Sequence, residues 1–402
     1  MTSYFLGFAK SYFRSYFGLS KLCWQGISLN FVESILSGVF YFLSLYFVEI
    51  LHFNIALTGT IISFYGIGAI LGGFIGGKLS DRISPNTISI FSLLTEAVGY
   101  AALIKLKTVN LLMFDVFILG IATYSFLTSN YVWILGQCRG HEVEKLKAIN
   151  ILSAGSNLGL GLSALIISAF AHYGFHYIFL TSSILLFFSA CYLIFQERKK
   201  VILVEINEIK IKEVGISKES DRVTWLILLC VFFVGAIVVQ MSSTYPVYVE
   251  AAFPTLGIKA VSILFAINSF LIVFFQMPII NLFNNDNKVL MVGVGAFLIG
   301  FGMLALSFSF TFILAIVSCV IYTIGEMLFF SMAQLVCYQK GEKKKKGHSL
   351  GIYRMVYATS RVAGPVMGGF IYYHFGGNMV LYLSGLIGIL CLISCNYYKQ
   401  YD

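Results

Sequence analysis

Charge is scarce in this chain. Only 11% of its 402 residues are Asp, Glu, Lys or Arg, against roughly 25% in a soluble domain, which argues against a water-coated globule. Proline is rarer still, at five residues, so little interrupts long helices. The eight cysteines form no CxxC pair and no Cys/His spacing suited to a metal. They read as buried thiols; no disulfide framework, no metal and no cofactor is expected. The phosphate-cradling pattern GxxxxGK[ST] is missing, and so is any nucleophile–base spacing. The chain therefore reads as neither an ATP-driven pump nor an enzyme, and no nucleotide-binding subunit is expected.

What the chain has is apolar length. It is 58% hydrophobic and 16% aromatic, and about 20 apolar residues suffice to cross a bilayer. Twelve such spans are expected, at 26–49, 57–79, 86–104, 110–136, 147–171, 174–196, 223–248, 258–283, 288–308, 310–338, 348–374 and 377–398. In lipid each must be a helix, because no water is there to satisfy backbone groups. The 37 glycines suit helices that pack closely in a membrane.

The positive charges give these spans a direction. With twelve spans, the termini and the even-numbered connections share one side, and 22 of the 27 Lys and Arg residues fall there. Three (Lys105, Lys107, Lys259) fall on the other side, and Arg354 and Arg361 lie inside a span. That asymmetry predicts cytoplasmic termini, and the membrane expected for the chain is a bacterial inner membrane. The net charge of +9 then reflects topology and the anionic leaflet, not a nucleic-acid partner. Residues 1–25 are expected to form an interfacial segment, with Tyr4, Phe5, Phe8, Tyr12 and Phe13 beside Lys10 and Arg14. The lysine run 343–346 reads as a further topological determinant.

The long polar stretch 197–222 divides the spans six and six, which predicts a half over 26–196, a half over 223–398 and a tail at 399–402. A shift of 204 residues lays Ser156-Asn157 on Ser360-Arg361 and Asn150 on Arg354, and the 77–86 loop on 281–290. Such internal symmetry is how one large transporter class is built.

Gly77-x-x-x-Asp81-Arg82 between spans two and three resembles the signature loop of the major facilitator superfamily. Gly325-Glu326 in span ten, Gly351-x-Tyr353 and Gly364-Pro365-x-x-Gly368-Gly369 in span eleven resemble its proton-coupled drug and metabolite efflux branch. The sequence departs from that pattern in three places: Ile83-Ser84-Pro85-Asn86 follows the loop, span four lacks an arginine, and span five lacks a proline. The resemblance implies an all-α membrane protein, with twelve transmembrane helices in two pseudo-symmetric six-helix halves. It implies a monomeric secondary transporter working by alternating access, exporting a drug, siderophore or metabolite against protons. Uptake of a nutrient or siderophore, and a non-transporting sensor, are the alternatives.

An ionisable group inside a span costs about 3 kcal/mol or more, so it marks function by default. Glu33, Asp115, Glu326 and Arg361 are the candidates for the solute and proton pathway. Asn30, Asn130, Gln240, Asn268, Gln276 and Gln334 are the candidate polar lining, among aromatic walls suited to an amphipathic organic solute. The resemblance favours spans one, four, seven and ten as cavity walls and leaves Glu96, in span three, a structural role. Glu326 reads equally as the partner of a basic residue in span eleven. Gly77, Asp81 and Arg82 are the expected conformational switch, with Gly73 and Gly77 permitting close helix contact. Gly364, Pro365, Gly368 and Gly369 are expected to pack helices.

Overall fold

A computed structural model of the chain describes residues 19–80, 82–138, 142–196, 218–283, 286–340 and 346–398. The interfacial segment before residue 19, Asp81, most of the central loop, most of the lysine run 343–346 and the tail 399–402 lie outside the described residues. Among those described, every regular element is helical.

Helix α1 (Lys21–Ser37) begins at Ser20, whose hydroxyl accepts from the Cys23 N–H at 3.2 Å. It passes into a tight turn of helix at Gly38–Phe42 and a wide one at Tyr46–Ile50. Then come α2 (Ile55–Ser80), α3 (Pro85–Leu103), α4 (Val109–Gly136), α5 (Glu142–Phe170) and α6 (Phe175–Gln196). The second series holds α7 (Lys218–Val238), a tight turn at Val239–Ser242 and a short helix Thr244–Ala252. It continues with α8 (Ile258–Leu282), α9 (Lys288–Leu306), α10 (Phe312–Lys340), α11 (Lys346–Phe375) and α12 (Gly377–Tyr398). Among the described residues, 10 helical stretches are long and apolar enough to cross a membrane. On composition α3 and α11 fall short, through Asn86, Glu96 and several Ser and Thr in one, and Arg354 and Arg361 in the other.

The two series run in step. α3 starts at Pro85 and α9 at Lys288, 203 residues on; α4 starts at Val109 and α10 at Phe312, again 203 on. The tight turns Gly38–Phe42 and Val239–Ser242 interrupt the first and seventh passes at matching places. Left-handed backbone recurs at matching turns too, at His52 (φ 56°) and Gly257 (φ 52°), and at Gly174 (φ 106°) and Gly376 (φ 85°). At Gly376 no atom lies within 4 Å of where a Cβ would stand, so backbone conformation alone calls for glycine there.

Glycine also brings backbones together. A Cβ on Gly68 or Gly72 would fall on the carbonyl oxygens of Phe117 and Ile121, and one on Gly76 would lie 2.8 Å from Ser125 Cα. These three, four residues apart, form one edge of α2 docked along α4. The expectation named Gly73 and Gly77, and the geometry corrects it. Their Cβ positions meet only Thr128, at 4.0 and 3.8 Å, because they point off the docked edge.

The face carrying the 82–84 connection is called here the basic face, and the opposite one the far face. In the far half of the bundle α2 packs on α11: a Cβ on Gly59 would strike the Pro365 carbonyl, and one on Gly66 would lie 2.7 Å from the Arg361 carbonyl. α5 meets α8 where Gly161 faces Ser269. Toward the basic face α2 and α11 part: nothing of α11 comes within 4 Å of the Cβ positions of Gly73 or Gly77. Along this seam the two series close on the far face and diverge toward the basic one.

Candidate functional site: a charged, aromatic cavity between the two helix series

Where the series meet, a cavity of about 130 Å³ opens. Both interrupted passes reach it, through Gly38, Phe40, Tyr41 and Phe42 on one side and Val238, Val239, Met241 and Ser242 on the other. α2, α5, α8, α10 and α11 complete the wall. The expectation placed span four in this wall, and here the structure differs. The Gly68–Gly72–Gly76 edge docks α4 on α2, and Tyr124 of α4 lies beside the cavity, its ring centroid 5.3 Å from Arg361 Cζ.

The wall is aromatic. Phe40 stacks on Tyr65 with centroids 3.7 Å apart, and Phe265 meets Tyr41, Phe42 and Tyr245 at 5.8, 5.6 and 6.0 Å. Into this setting project one cation and one carboxylate, Arg361 and Glu326. They form no ion pair within 4.0 Å. Arg361 instead lies over Tyr124 and, at 5.5 Å, over Tyr357. Glu326 Oε2 accepts from Asn268 Nδ2 at 2.9 Å. The hydroxyl of Tyr41 sits in the field of both charges.

Of the expected polar lining, only Asn268 stands in this wall with Glu326 and Arg361. Asn30 donates to Ser156 Oγ at 2.6 Å, tying α1 to α5. Asn130 donates to the Gly26 carbonyl at 3.0 Å, tying α4 to α1. Gln240 is fully engaged: its amide donates to the Ala236 and Gly364 carbonyls at 2.9 and 2.8 Å, and its oxygen accepts from Ser243 and Thr244. It clasps the break after α7 to α11. Gln276 follows Asn268 and Ile272 at four-residue steps along α8, so it shares their face, one turn nearer the basic face. Gln334 is exposed, two turns beyond Glu326 on α10.

Glu33 and Asp115 stand apart from the cavity. Glu33 is 2% exposed and Glu96 0%, and each feels the other's charge. Glu33 Oε1, both Glu96 carboxyl oxygens and Asp115 Oδ2 are buried without a hydrogen-bond partner. Asp115 faces α3, where a Cβ on Gly99 would lie 3.5 Å from its Oδ1. Thus α1, α3 and α4 enclose three acids with no cation within 4.0 Å among the described residues.

Sequence reading singled out Glu96 and gave it a structural role, because a helix expected at the periphery gave no reason to place it beside Glu33. It missed Asn157 of the cavity wall, which the 204-residue shift had already set on Arg361. Of the residues expected to form the conformational switch, Arg82 is exposed and Asp81 lies outside the described residues. In α11, Gly364 and Gly368 press on Val239 and Gln240, and Gly369 lies against Ile55 and Ala56 of α2.

Residues 27–365 match the family model described as Major Facilitator Superfamily. The chain belongs to this superfamily. It is 25% identical over 257 residues to the uncharacterized MFS-type transporter YttB of Bacillus subtilis (strain 168), covering 62% of each chain. It is 22% identical over 366 residues to YqjV of the same organism, also an uncharacterized MFS-type transporter, covering 88% of this chain and 86% of that one. Its fold matches a variant of the peptide transporter POT solved with sulfate at a TM-score of 0.80, with 15% identity and 96% of both chains covered. At that identity the likeness is one of fold alone. The chain is a multi-pass membrane transporter of the MFS type.

Proposed function

We propose that this protein is a proton-coupled secondary transporter that moves a small organic solute by alternating access through the cavity between its two helix series. The observation that carries this reading is the pair Arg361 and Glu326, unpaired with each other in an aromatic cavity beside which α2 and α11 dock on the far face and part toward the basic one. A fixed charge inside a membrane bundle without a partner is costly, and a solute that enters from the open face relieves it. A solute that binds the two gate states differently then shifts their populations.

The proton pathway in this reading uses Glu326 in the cavity and Glu33 beside Glu96 behind it. A buried carboxyl takes a proton readily, and one exposed to water or a cation gives it up. We place both termini in the cytoplasm of a bacterium's inner membrane, on the strength of the 22 of 27 Lys and Arg residues on one side. On that orientation the open face is cytoplasmic. The α11 glycine–proline pattern and the aromatic lining support export by a monomer built from the halves 26–196 and 223–398.

The test is reconstitution into liposomes with an imposed pH gradient and an entrapped pH dye, against a panel of amino acids, peptides, nucleosides, sugars, siderophores and cationic drugs. At least one solute is expected to cross and to carry proton flux in the opposite direction. Solute flux indifferent to the gradient would remove the coupling, and flux of neither kind would remove transport.

A further inference from the structure

The cavity's own chemistry narrows the solute, granting the transport reading above. Arg361 offers five N–H groups in a fixed fork. None has a hydrogen-bond acceptor among the described residues, and no carboxylate lies within 4.0 Å. Its two aromatic neighbours, Tyr124 and Tyr357, lie over the guanidinium and satisfy no N–H in the plane. A fork so held is set for a carboxylate or a similar planar anion.

Glu326 presents the opposite need. Asn268 occupies Oε2, while Oε1 has no partner among the described residues and its side chain lines the same cavity. An oxygen in that setting suits a donor carrying positive charge, such as an ammonium group. The space is small: about 130 Å³, below the roughly 300–1,000 Å³ of sites for drug-sized molecules. The same cavity is lined by Phe40, Tyr41, Tyr65 and Phe265.

We propose that the solute is a small zwitterion with an apolar body, its carboxylate held by Arg361 and its ammonium by Glu326. The proton and the ammonium then compete for one carboxylate. Protonation of Glu326 releases the solute, and solute binding expels the proton. That competition is a coupling mechanism for exchange of one against the other, with no further group required.

The experiment is thermal unfolding of the purified full-length protein with phenylalanine and alanyl-phenylalanine, each beside its methyl ester and its N-acetyl derivative. Nucleosides, sugars and singly charged drugs complete the panel. The zwitterions are expected to stabilise the protein, and removing either charge to weaken binding about tenfold or more. Stabilisation by the zwitterions should fade as pH falls. Arg361→Gln and Glu326→Gln should each abolish it, while Arg361→Lys, which keeps the charge, should retain part and show that the fold survives. Blocked analogues that bind as well as the zwitterion would overturn the proposal, as would zwitterions that do nothing while another class binds; both leave transport standing. Silence across the panel from folded protein overturns it too. In that case the liposome assay with the wider solute set decides whether transport falls with it.

Discussion

Asn268 on α8 holds Glu326 on α10: its Nδ2 donates to Oε2 at 2.9 Å and to Thr323 Oγ1, one turn earlier, at 3.0 Å. One amide thus fixes the carboxylate's rotamer and leaves its second oxygen to the cavity. Glu326→Gln keeps an oxygen for Asn268 but no titrating group. It is expected to fold with a near-normal unfolding temperature and to lose gradient-driven accumulation about tenfold or more, a change of at least about 1.4 kcal/mol in the driving equilibrium. Asn268→Ala strips the carboxylate of its donor and should cost about 1–3 kcal/mol of stability. Liposome accumulation and thermal unfolding measure the two. Undiminished accumulation by the Gln variant would remove Glu326 from the proton pathway.

Glu33 and Glu96 lie buried in each other's field with three of their four carboxyl oxygens unpartnered. Replacing either by Gln relieves the same repulsion, so the two replacements should not add. A double-mutant cycle at pH 8 is expected to give an interaction of roughly 0.5–3 kcal/mol. Additive effects at pH 8 would show that the two acids act separately.

The helix positions were legible because lipid enforces helices and the apolar runs are long; α12 occupies 377–398, as expected. The breaks after α1 and α7 were not legible. Local sequence around Gly38 and Val239 carries no strong breaker, and what stabilises the second break is Gln240, reaching a carbonyl 124 residues away. The site was half legible. Charge inside a span singles out Glu33, Glu96, Asp115, Glu326 and Arg361, but only packing tells which face a group takes. Asn130 and Gln240 look like cavity lining in sequence, yet they satisfy helix carbonyls.

Close packing and switching separate at two nearby glycines. A Cβ on Gly72 would lie 2.8 Å from Ile121 Cα, and backbone cannot yield as a side-chain tip does. Gly72→Ala should therefore cost about 1–3 kcal/mol and lower the unfolding temperature. Gly77→Ala meets only the Thr128 methyl at 3.8 Å and should leave the stability of this far-face-sealed state unchanged. If Gly77 belongs to the conformational switch, its Ala variant slows turnover without loss of stability or of solute affinity. Unaltered turnover in Gly77→Ala would take that residue out of the switch.

At the far-face seal, the short helix Thr244–Ala252 packs near Leu43–Leu45, and Glu250 sits half-buried with Oε2 unpartnered. Burial first, and the charge of Glu49 second, raise its carboxyl from 4.5 to about 7. A raised carboxyl favours the buried arrangement while neutral. Its contribution to the seal is full below about pH 4.5, declines as pH rises, and is lost through about pH 7. The far face should accordingly open more often at pH 8 than at pH 5. Phe253, 8% exposed beside this helix, reports on it. In a background without the native cysteines, Phe253→Cys should react with a membrane-impermeant maleimide severalfold faster at the higher pH, after correction for thiolate fraction. Adding Glu250→Gln, which stays neutral, should flatten that dependence, and an undiminished pH effect in the double variant would assign the opening to another group.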